Sequence, residues 1–260
     1  MLIVGILFCF PVLSFAQEIT EENYLKLDEE IWEQSDRDMN NLNLQEALEM
    51  YPEKKDSLLN ISKEIYDLTQ KKNRELALQF ASVPSGLKRV FMLRLSIPKD
   101  TLQNVLSKLP NELKSSAYGK SLLLHINSEQ IKEGDRYYNF ESMTSEGDVF
   151  ELSSLEGKNI LLLYGGLGCM GQKAQDYLNS LYEKTSRDDF EIIVYCGEKN
   201  LPDLQKVRDV YPCSFLLVSD FKEDHTPMKI LYGAQATPTC FFINKEGIIQ
   251  MRTTGLYQNR

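Results

Sequence analysis

A single cysteine occupies a distinctive place in the stretch LLLYGGLGCMGQKAQDYL, which covers residues 161–178. An apolar run ends in two glycines, Cys169 follows, and the next apolar residues recur at helical spacing, so Cys169 is predicted to lie where a buried strand leads into a helix. A cysteine in the first turn of a helix faces backbone N–H groups and the positive end of the helix dipole, both of which favour thiolate. Because thiolate is the reactive form, Cys169 is the candidate nucleophile.

The other cysteines have different surroundings. Cys9 lies in the N-terminal apolar run, whereas Cys196 and Cys213 end or begin apolar strand-like runs, which favours structural roles, either buried or as a disulfide pair. Cys240 is expected either to pack in a strand or to act as a partner of Cys169. No two cysteines form a C-x-x-C pair and neither histidine lies near a cysteine, so we predict no metal site and no cofactor.

Charge and composition exclude one class of partner. The chain has 260 residues, of which 42% are hydrophobic, enough for one large domain or two small ones. Its 29 basic and 38 acidic residues give a net charge of -9 and form no basic block. Nucleic acid is therefore not a predicted partner.

The first 16 residues are predicted to be a secretory signal peptide. This apolar run is too short to span a bilayer as a retained helix, and it ends in small residues at Ser14 and Ala16, the spacing of a signal-peptidase site after Ala16. No charged residue precedes Glu18, so the usual basic segment is missing. We expect an exported, periplasmic protein that starts at Gln17 and does not require membrane association.

Residues 17–133 are predicted to form an all-α N-terminal domain. Leu58, Ile61, Ile65 and Leu68 share one helical stripe. A second stripe, which follows Pro98, contains Leu102, Val105, Leu106 and Leu109.

After residue 133 the apolar period changes from helical to alternating. Two short strands are predicted around a turn at 145–148, followed by a buried run at 160–164, a helix, and a second buried run that ends at Cys196. A further helix, a strand, a short segment near Met228 and a closing hairpin complete residues 134–260. This order predicts an α/β domain with a central sheet.

Three segments of this second half carry a family resemblance: Gly134 with Phe140, the run FELSSLEGKNILLLYGG that leads into Cys169, and ATPTCFFINKEGII at 236–249. The half resembles the thioredoxin superfamily, in particular the exported TlpA-like disulfide reductases, with the AhpC/TSA peroxiredoxins alongside. The resemblance implies a thioredoxin-like fold, with a central mixed sheet flanked by helices and a cis bond before Pro238 across from Cys169. The first half resembles the helical segment that precedes such domains in some exported Bacteroidetes proteins.

The resemblance also implies two walls of an active site. The catalytic positions are expected to be Cys169, Gln172 and Pro238. The residues expected to bind substrate are Gly168, Met170, Gly171, Thr237 and Thr239. Where the family has a tryptophan before the cysteine, this chain has Gly168, and where the family has its second cysteine, this chain has Gln172. The family's buried acidic residue is also missing, because the run at 160–164 is uncharged.

The missing second cysteine determines the functions that can be expected. Without a thiol at position 172, a mixed disulfide on Cys169 cannot be resolved within the motif. The expected function is a thiol-disulfide oxidoreductase in which Cys169 acts as a monothiol or is resolved by a distant cysteine, Cys240 being the nearest candidate. Its partners would be protein thiols and disulfides.

Three other functions remain open. The first is a redox-inactive thioredoxin-fold module that binds an extended peptide. The second is a one-cysteine peroxidase, ranked lower because Leu162 and Gly166 stand where peroxiredoxins carry a proline and a hydroxyl residue. The third is an assembly protein built around the helical half.

Overall fold

Helices make up the first half of the computed structural model and a sheet organises the second half; the structure describes residues 18–256. These residues fall into two compact units that divide between Gly119 and Lys120. The expected signal peptide lies outside the described residues, and the boundary expected after residue 133 stays a prediction. Within the described range, no helix combines the length and apolar character that crossing a membrane requires.

The helices of the first half are α1 (Glu21–Leu42), α2 (Leu44–Met50), α3 (Lys55–Gln79), α4 (Pro84–Met92), α5 (Lys99–Lys108), α6 (Asn111–Ser115) and α7 (Ala117–Asn127). Helix α1 starts at an N-cap, because the Thr20 hydroxyl accepts a hydrogen bond from the Asn23 backbone at 3.2 Å. In α5, Leu102 and Leu106 are buried, which confirms the apolar stripe predicted there.

The stripe predicted in the first half of α3 is only partly covered, because Leu58 and Ile65 are half-buried but the other two residues are exposed. Ile61 is 42% exposed and Leu68 is 51% exposed. The buried residues of α3 instead come from its second half: Thr69, Asn73, Leu76 and Ala77. There Leu76 packs with Tyr24 and Phe80 in one apolar cluster. Helical spacing shows that a face is apolar but does not show that a neighbour covers it.

The second half contains seven strands in one sheet: β1 (Glu141–Thr144), β2 (Val149–Glu151), β3 (Asn159–Tyr164), β4 (Phe190–Tyr195), β5 (Leu216–Ser219), β6 (Thr239–Ile243) and β7 (Ile249–Thr254). Their order across the sheet is β2-β1-β5-β4-β3-β6-β7. Strands β3, β4 and β5 run parallel, and the remaining pairings are antiparallel. The predicted α/β fold with a central mixed sheet is therefore confirmed.

Helices α8 (Gln172–Lys184), α9 (Leu201–Val210) and α10 (Pro227–Ile230) complete the unit. One apolar cluster contains Leu162 and Phe241, and another contains Leu163 and Leu178 from α8. Alternate residues of β3 thus enter different cores, which explains why its run is uncharged.

The sheet determines where the loop after β3 lies. In the antiparallel pair β3–β6, Tyr164 at the end of β3 is opposite Thr239 at the start of β6. The chain before β6, which includes Thr237 and Pro238, therefore lies next to the loop that contains Cys169.

Replacement of Phe241 measures how much the apolar core beside the sheet contributes to the stability of the fold. The Phe241 side chain is fully buried, and its ring centroid lies 5.3 Å from that of Tyr232. We expect Phe241→Ala to lower the free energy of unfolding by about 3–5 kcal/mol, because a large buried side chain is lost. Urea denaturation followed by circular dichroism measures this loss. The control, Met251→Ala, removes a side chain that is 50% exposed and should change stability by about 0.5 kcal/mol or less; equal losses in the two variants would contradict the assigned core.

Candidate functional site

The loop between β3 and α8, residues 165–171, holds Cys169 in a turn of its own and is called the cysteine loop here. The backbone N–H groups of Cys169 and Met170 donate to the Gly166 carbonyl at 3.1 and 2.9 Å. Helix α8 begins at Gln172, after Gly171 with φ of +74°. The expectation that Cys169 lies in the first turn of the helix is therefore wrong, because the left-handed conformation of Gly171 separates the turn from the helix.

The thiol of Cys169 is exposed and faces the segment before β6. Its Sγ donates to the Thr237 carbonyl oxygen at 3.2 Å and lies 3.8 Å from the Thr237 hydroxyl. The Gly166 carbonyl is a third neighbour, at 3.5 Å from Sγ. The bond between Thr237 and Pro238 is cis. The thiol thus lies against an exposed backbone segment and has an open side toward solvent.

Two glycines allow this close approach. A Cβ on Gly166 would lie 2.6 Å from Pro238 Cβ and 2.9 Å from its ring nitrogen, and a Cβ on Gly165 would lie 2.8 Å from Thr237 Cγ2. Both glycines also have positive φ, +59° at Gly165 and +99° at Gly166. Any other residue at these positions would push the cysteine loop away from Thr237 and Pro238.

The side chains on the helical side of the loop hold it in place. Gln175 on α8 donates from Nε2 to the Leu167 carbonyl at 2.7 Å. Gln172, which stands in place of a second cysteine, donates to Asp176 Oδ1 at 2.8 Å, along the helix. Met170 is half-buried against the apolar cluster that contains Leu178.

Two further expected site residues have different surroundings. Thr239 is buried, and its hydroxyl donates to the Ala236 carbonyl at 2.6 Å, so its side chain supports the segment from within. Gly168 is exposed, but the Tyr211 hydroxyl would lie 2.9 Å from a Cβ at that position. Tyr211 therefore occupies space that a larger residue before Cys169 would need.

The remaining thiols of the described residues are less accessible. Cys240 is 4% exposed in β6 and its Sγ lies 3.7 Å from the Gly255 carbonyl; burial raises the pKa of its thiol to about 11. Burial also raises the pKa of Cys196 to about 12 and raises that of the half-buried Cys213. All four described cysteines are free thiols. The pairings of Cys169 with Cys240 and of Cys196 with Cys213 stay predictions.

Sequence reasoning missed Glu198 and Tyr211, which line a cavity of about 150 Å³ beside Gly168. A signal for Glu198 was present: it is the first charged residue after β4, and parallel strands such as β3 and β4 end at the same sheet edge. Nothing comparable pointed to Tyr211, because its position depends on the path of α9. No group of three metal-ligating side chains occurs among residues 18–256.

The sheet, the cysteine loop and the cis bond before β6 together define a thioredoxin-like protein. Comparison with known proteins gives the family. The thiol-disulfide oxidoreductase ResA of Bacillus subtilis strain 168 is 30% identical over 131 residues, which cover 49% of this chain and 70% of ResA. ResA of Halalkalibacterium halodurans is 28% identical over 129 residues, which cover 48% of this chain and 70% of the relative. This chain belongs to the thioredoxin-like family of the ResA thiol-disulfide oxidoreductases.

Solved structures with related folds are more distant. The thioredoxin domain of a thiol-disulfide oxidoreductase from Bacteroides vulgatus is 19% identical, with a TM-score of 0.44, and the match covers 49% of this chain and 91% of that domain. The exposed lipoprotein thioredoxin of Streptococcus pneumoniae strain TIGR4 is 22% identical, with a TM-score of 0.39, and the match covers 46% of this chain and 92% of that protein. No family model matches the chain.

Two alanine substitutions separate backbone strain from loop contact. Gly166 and Gly134 have similar φ, +99° and +93°, but a Cβ at Gly134 meets nothing within 4 Å. We expect Gly134→Ala to cost about 1–2 kcal/mol of unfolding free energy for the left-handed conformation alone. Gly166→Ala should cost about 1–3 kcal/mol more, because the new methyl group meets Pro238. Chemical denaturation of both variants tests this, and equal costs would show that Gly166 does not need to approach Pro238 closely.

Alkylation with iodoacetamide tests the different burial of the thiols. At pH 8, a thiol with a pKa of about 11 is thiolate in about one molecule per thousand, and Cys240 is also shielded from the reagent. We expect Cys169 to be labelled first, Cys213 more slowly, and Cys196 and Cys240 last, as measured by mass spectrometry of peptides. In denaturant all four should react at similar rates. Labelling of Cys240 as fast as Cys169 in the folded protein would contradict the assigned burial.

Proposed function

We propose that this chain performs thiol–disulfide exchange on protein disulfides through Cys169 as its single active-site cysteine. The observation that carries the proposal is the exposed Cys169 thiol, 3.2 Å from the Thr237 carbonyl and beside the cis bond to Pro238, in a chain of this family. The exposed Thr237 and the open side of the thiol give a substrate disulfide access to Sγ.

The reaction has three exchange steps. In the first, the Cys169 thiolate attacks one sulfur of the substrate disulfide; the substrate S–S bond breaks, a mixed disulfide forms, and the second substrate sulfur leaves as thiolate and takes a proton from water. In the second, an external thiol attacks the mixed disulfide and frees the substrate thiol. This attack leaves Cys169 in a disulfide with the first external thiol. A second external thiol then attacks that disulfide, and Cys169 returns to the free thiol. Overall, one substrate disulfide is reduced and two external thiols are oxidised to a disulfide.

The external thiol is part of the proposal because of what surrounds position 172. Gln172 has no sulfur and hydrogen-bonds to Asp176. Cys240, the expected internal alternative, is buried in β6 and has a raised thiol pKa, both of which oppose its attack on a disulfide at the surface. These features favour the monothiol route.

We also propose that the protein works after export. The apolar run at 1–16 supports this, with its small residues before Gln17. An oxidising compartment supplies the protein disulfides that such a reaction consumes.

Three variants test the mechanism in an assay of disulfide-peptide reduction with an excess of a small thiol. Cys169→Ser should abolish the reduction, because the nucleophile is lost, whereas Cys240→Ala should change the rate by about twofold or less. Gln172→Cys should raise the rate at low thiol concentration, because a thiol in the motif can displace the substrate without an external one. It should also produce a protein that is two hydrogens lighter after turnover.

Other results would point to the functions left open. Loss of activity in Cys240→Ala would show that Cys240 resolves the mixed disulfide. If the wild-type protein binds the peptide but exchanges no disulfide, and Cys169→Ser binds equally well, the chain is a peptide-binding module. Faster reaction with hydrogen peroxide than with the peptide would favour a peroxidase.

A further inference from the structure

A cavity of about 150 Å³ opens beside the cysteine loop, on the side of β4 and α9. A cavity of this size is large enough for one side chain, since a cavity of about 150 Å³ in another protein accommodates benzene. Apolar side chains of Leu167, Val194 and Val207 form part of its lining. Besides Cys196, which is buried, the residues with polar side chains that line it are Glu198 and Tyr211.

The cavity adjoins the cysteine loop at the residue before the reacting cysteine. Gly168, the residue directly before Cys169, forms part of its wall, and the Tyr211 hydroxyl would lie 2.9 Å from a Cβ at Gly168. Gly168 contributes no side chain to the cavity, and Tyr211 forms the wall on that side. A peptide whose cysteine has reached Cys169 can therefore place an adjacent side chain in the cavity.

The charges around Glu198 indicate which side chain the cavity favours. Partial burial, and to a lesser degree Asp203, raises the pKa of the Glu198 carboxyl, so the carboxylate is partly desolvated and lies near another negative charge. The adjacent Lys199 is paired elsewhere, with Glu223 at 3.4 Å. A cation beside Glu198 would relieve both the desolvation and the repulsion.

We propose that this cavity is a specificity subsite that accepts a lysine or arginine side chain adjacent to the attacked cysteine of a protein disulfide. The inference rests on the proposed function. The aliphatic stem of the side chain packs on Leu167, Val194 and Val207, and its charged end meets the Glu198 carboxylate at the partly exposed side. The subsite acts on the first exchange step, in which the substrate approaches Cys169.

The test uses three short peptides that differ in one residue next to their single cysteine: lysine, norleucine or glutamate. Each cysteine carries the same thiopyridyl disulfide, so that attack by Cys169 releases the same coloured leaving group and forms the peptide–Cys169 disulfide. We expect the lysine peptide to react about tenfold faster than the norleucine peptide, the size of a charge-assisted hydrogen bond, and the glutamate peptide to react most slowly. The lysine preference should fall as salt is added.

Glu198→Gln should reduce the ratio of lysine to norleucine rates to near one. The matched control is Glu183→Gln, which removes the same charge from an exposed position on α8 and should leave the ratio unchanged. Equal rates for the three wild-type peptides, a ratio insensitive to salt, or a preference that survives in Glu198→Gln would overturn the subsite while leaving the proposed exchange reaction in place. If Cys169 reacts with none of the peptides, the proposed function itself fails, and the subsite with it.

Discussion

The contact of Gly166 with Pro238 is the constraint on which the arrangement of this site depends. With a glycine at position 166, the cysteine loop comes close enough to Pro238 that even one added methyl carbon would lie 2.6 Å from the proline ring. That approach places the Cys169 thiol 3.2 Å from the Thr237 carbonyl. The sheet supplies the framework, since β3 and β6 are neighbours whose facing ends hold the two segments in register.

Burial then separates the thiols by reactivity. The sheet positions Cys196 and Cys240 in an apolar core, where the neutral thiol is favoured and the pKa is raised. Cys169 lies on the loop outside that core and is exposed. Among residues 18–256, Cys169 is therefore the exposed thiol beside an exposed backbone segment, whereas Cys213 is half-buried and Cys196 and Cys240 are buried. This division supports a mechanism with one reactive cysteine and an external thiol.

The elements of the second half could be predicted from sequence because buried strands leave a strong signal. The uncharged run at 160–164 and the hairpin near 145–148 appear in the structure as β3 and as β1 with β2. The position of Cys169 after a buried strand could be predicted from the same apolar run, which ends in two glycines just before it. The start of α8 could not be predicted, because it depends on the left-handed conformation of Gly171, and a glycine in sequence does not reveal its φ.

Features that depend on contacts between distant segments were also missed. Ile61 and Leu68 have the spacing of a buried stripe but are exposed, because burial needs a neighbouring element. Tyr211 follows α9 and lies some forty residues after Gly168 in the chain, so only the path of α9 brings the two residues together. Glu198 was predictable in principle from the shared edge of parallel strands, because it follows β4 at the edge where β3 leads into the cysteine loop.

The central claim is that Cys169 exchanges disulfides as a single thiol, and mapping the product of one exchange tests it most directly. The folded protein is treated with an excess of a small symmetric disulfide, and its cysteine peptides are then identified by mass spectrometry. The account predicts one mixed disulfide, on Cys169, which an added thiol removes completely. A mixed disulfide on another cysteine in preference to Cys169, or no adduct under conditions in which free cysteine reacts, would contradict it.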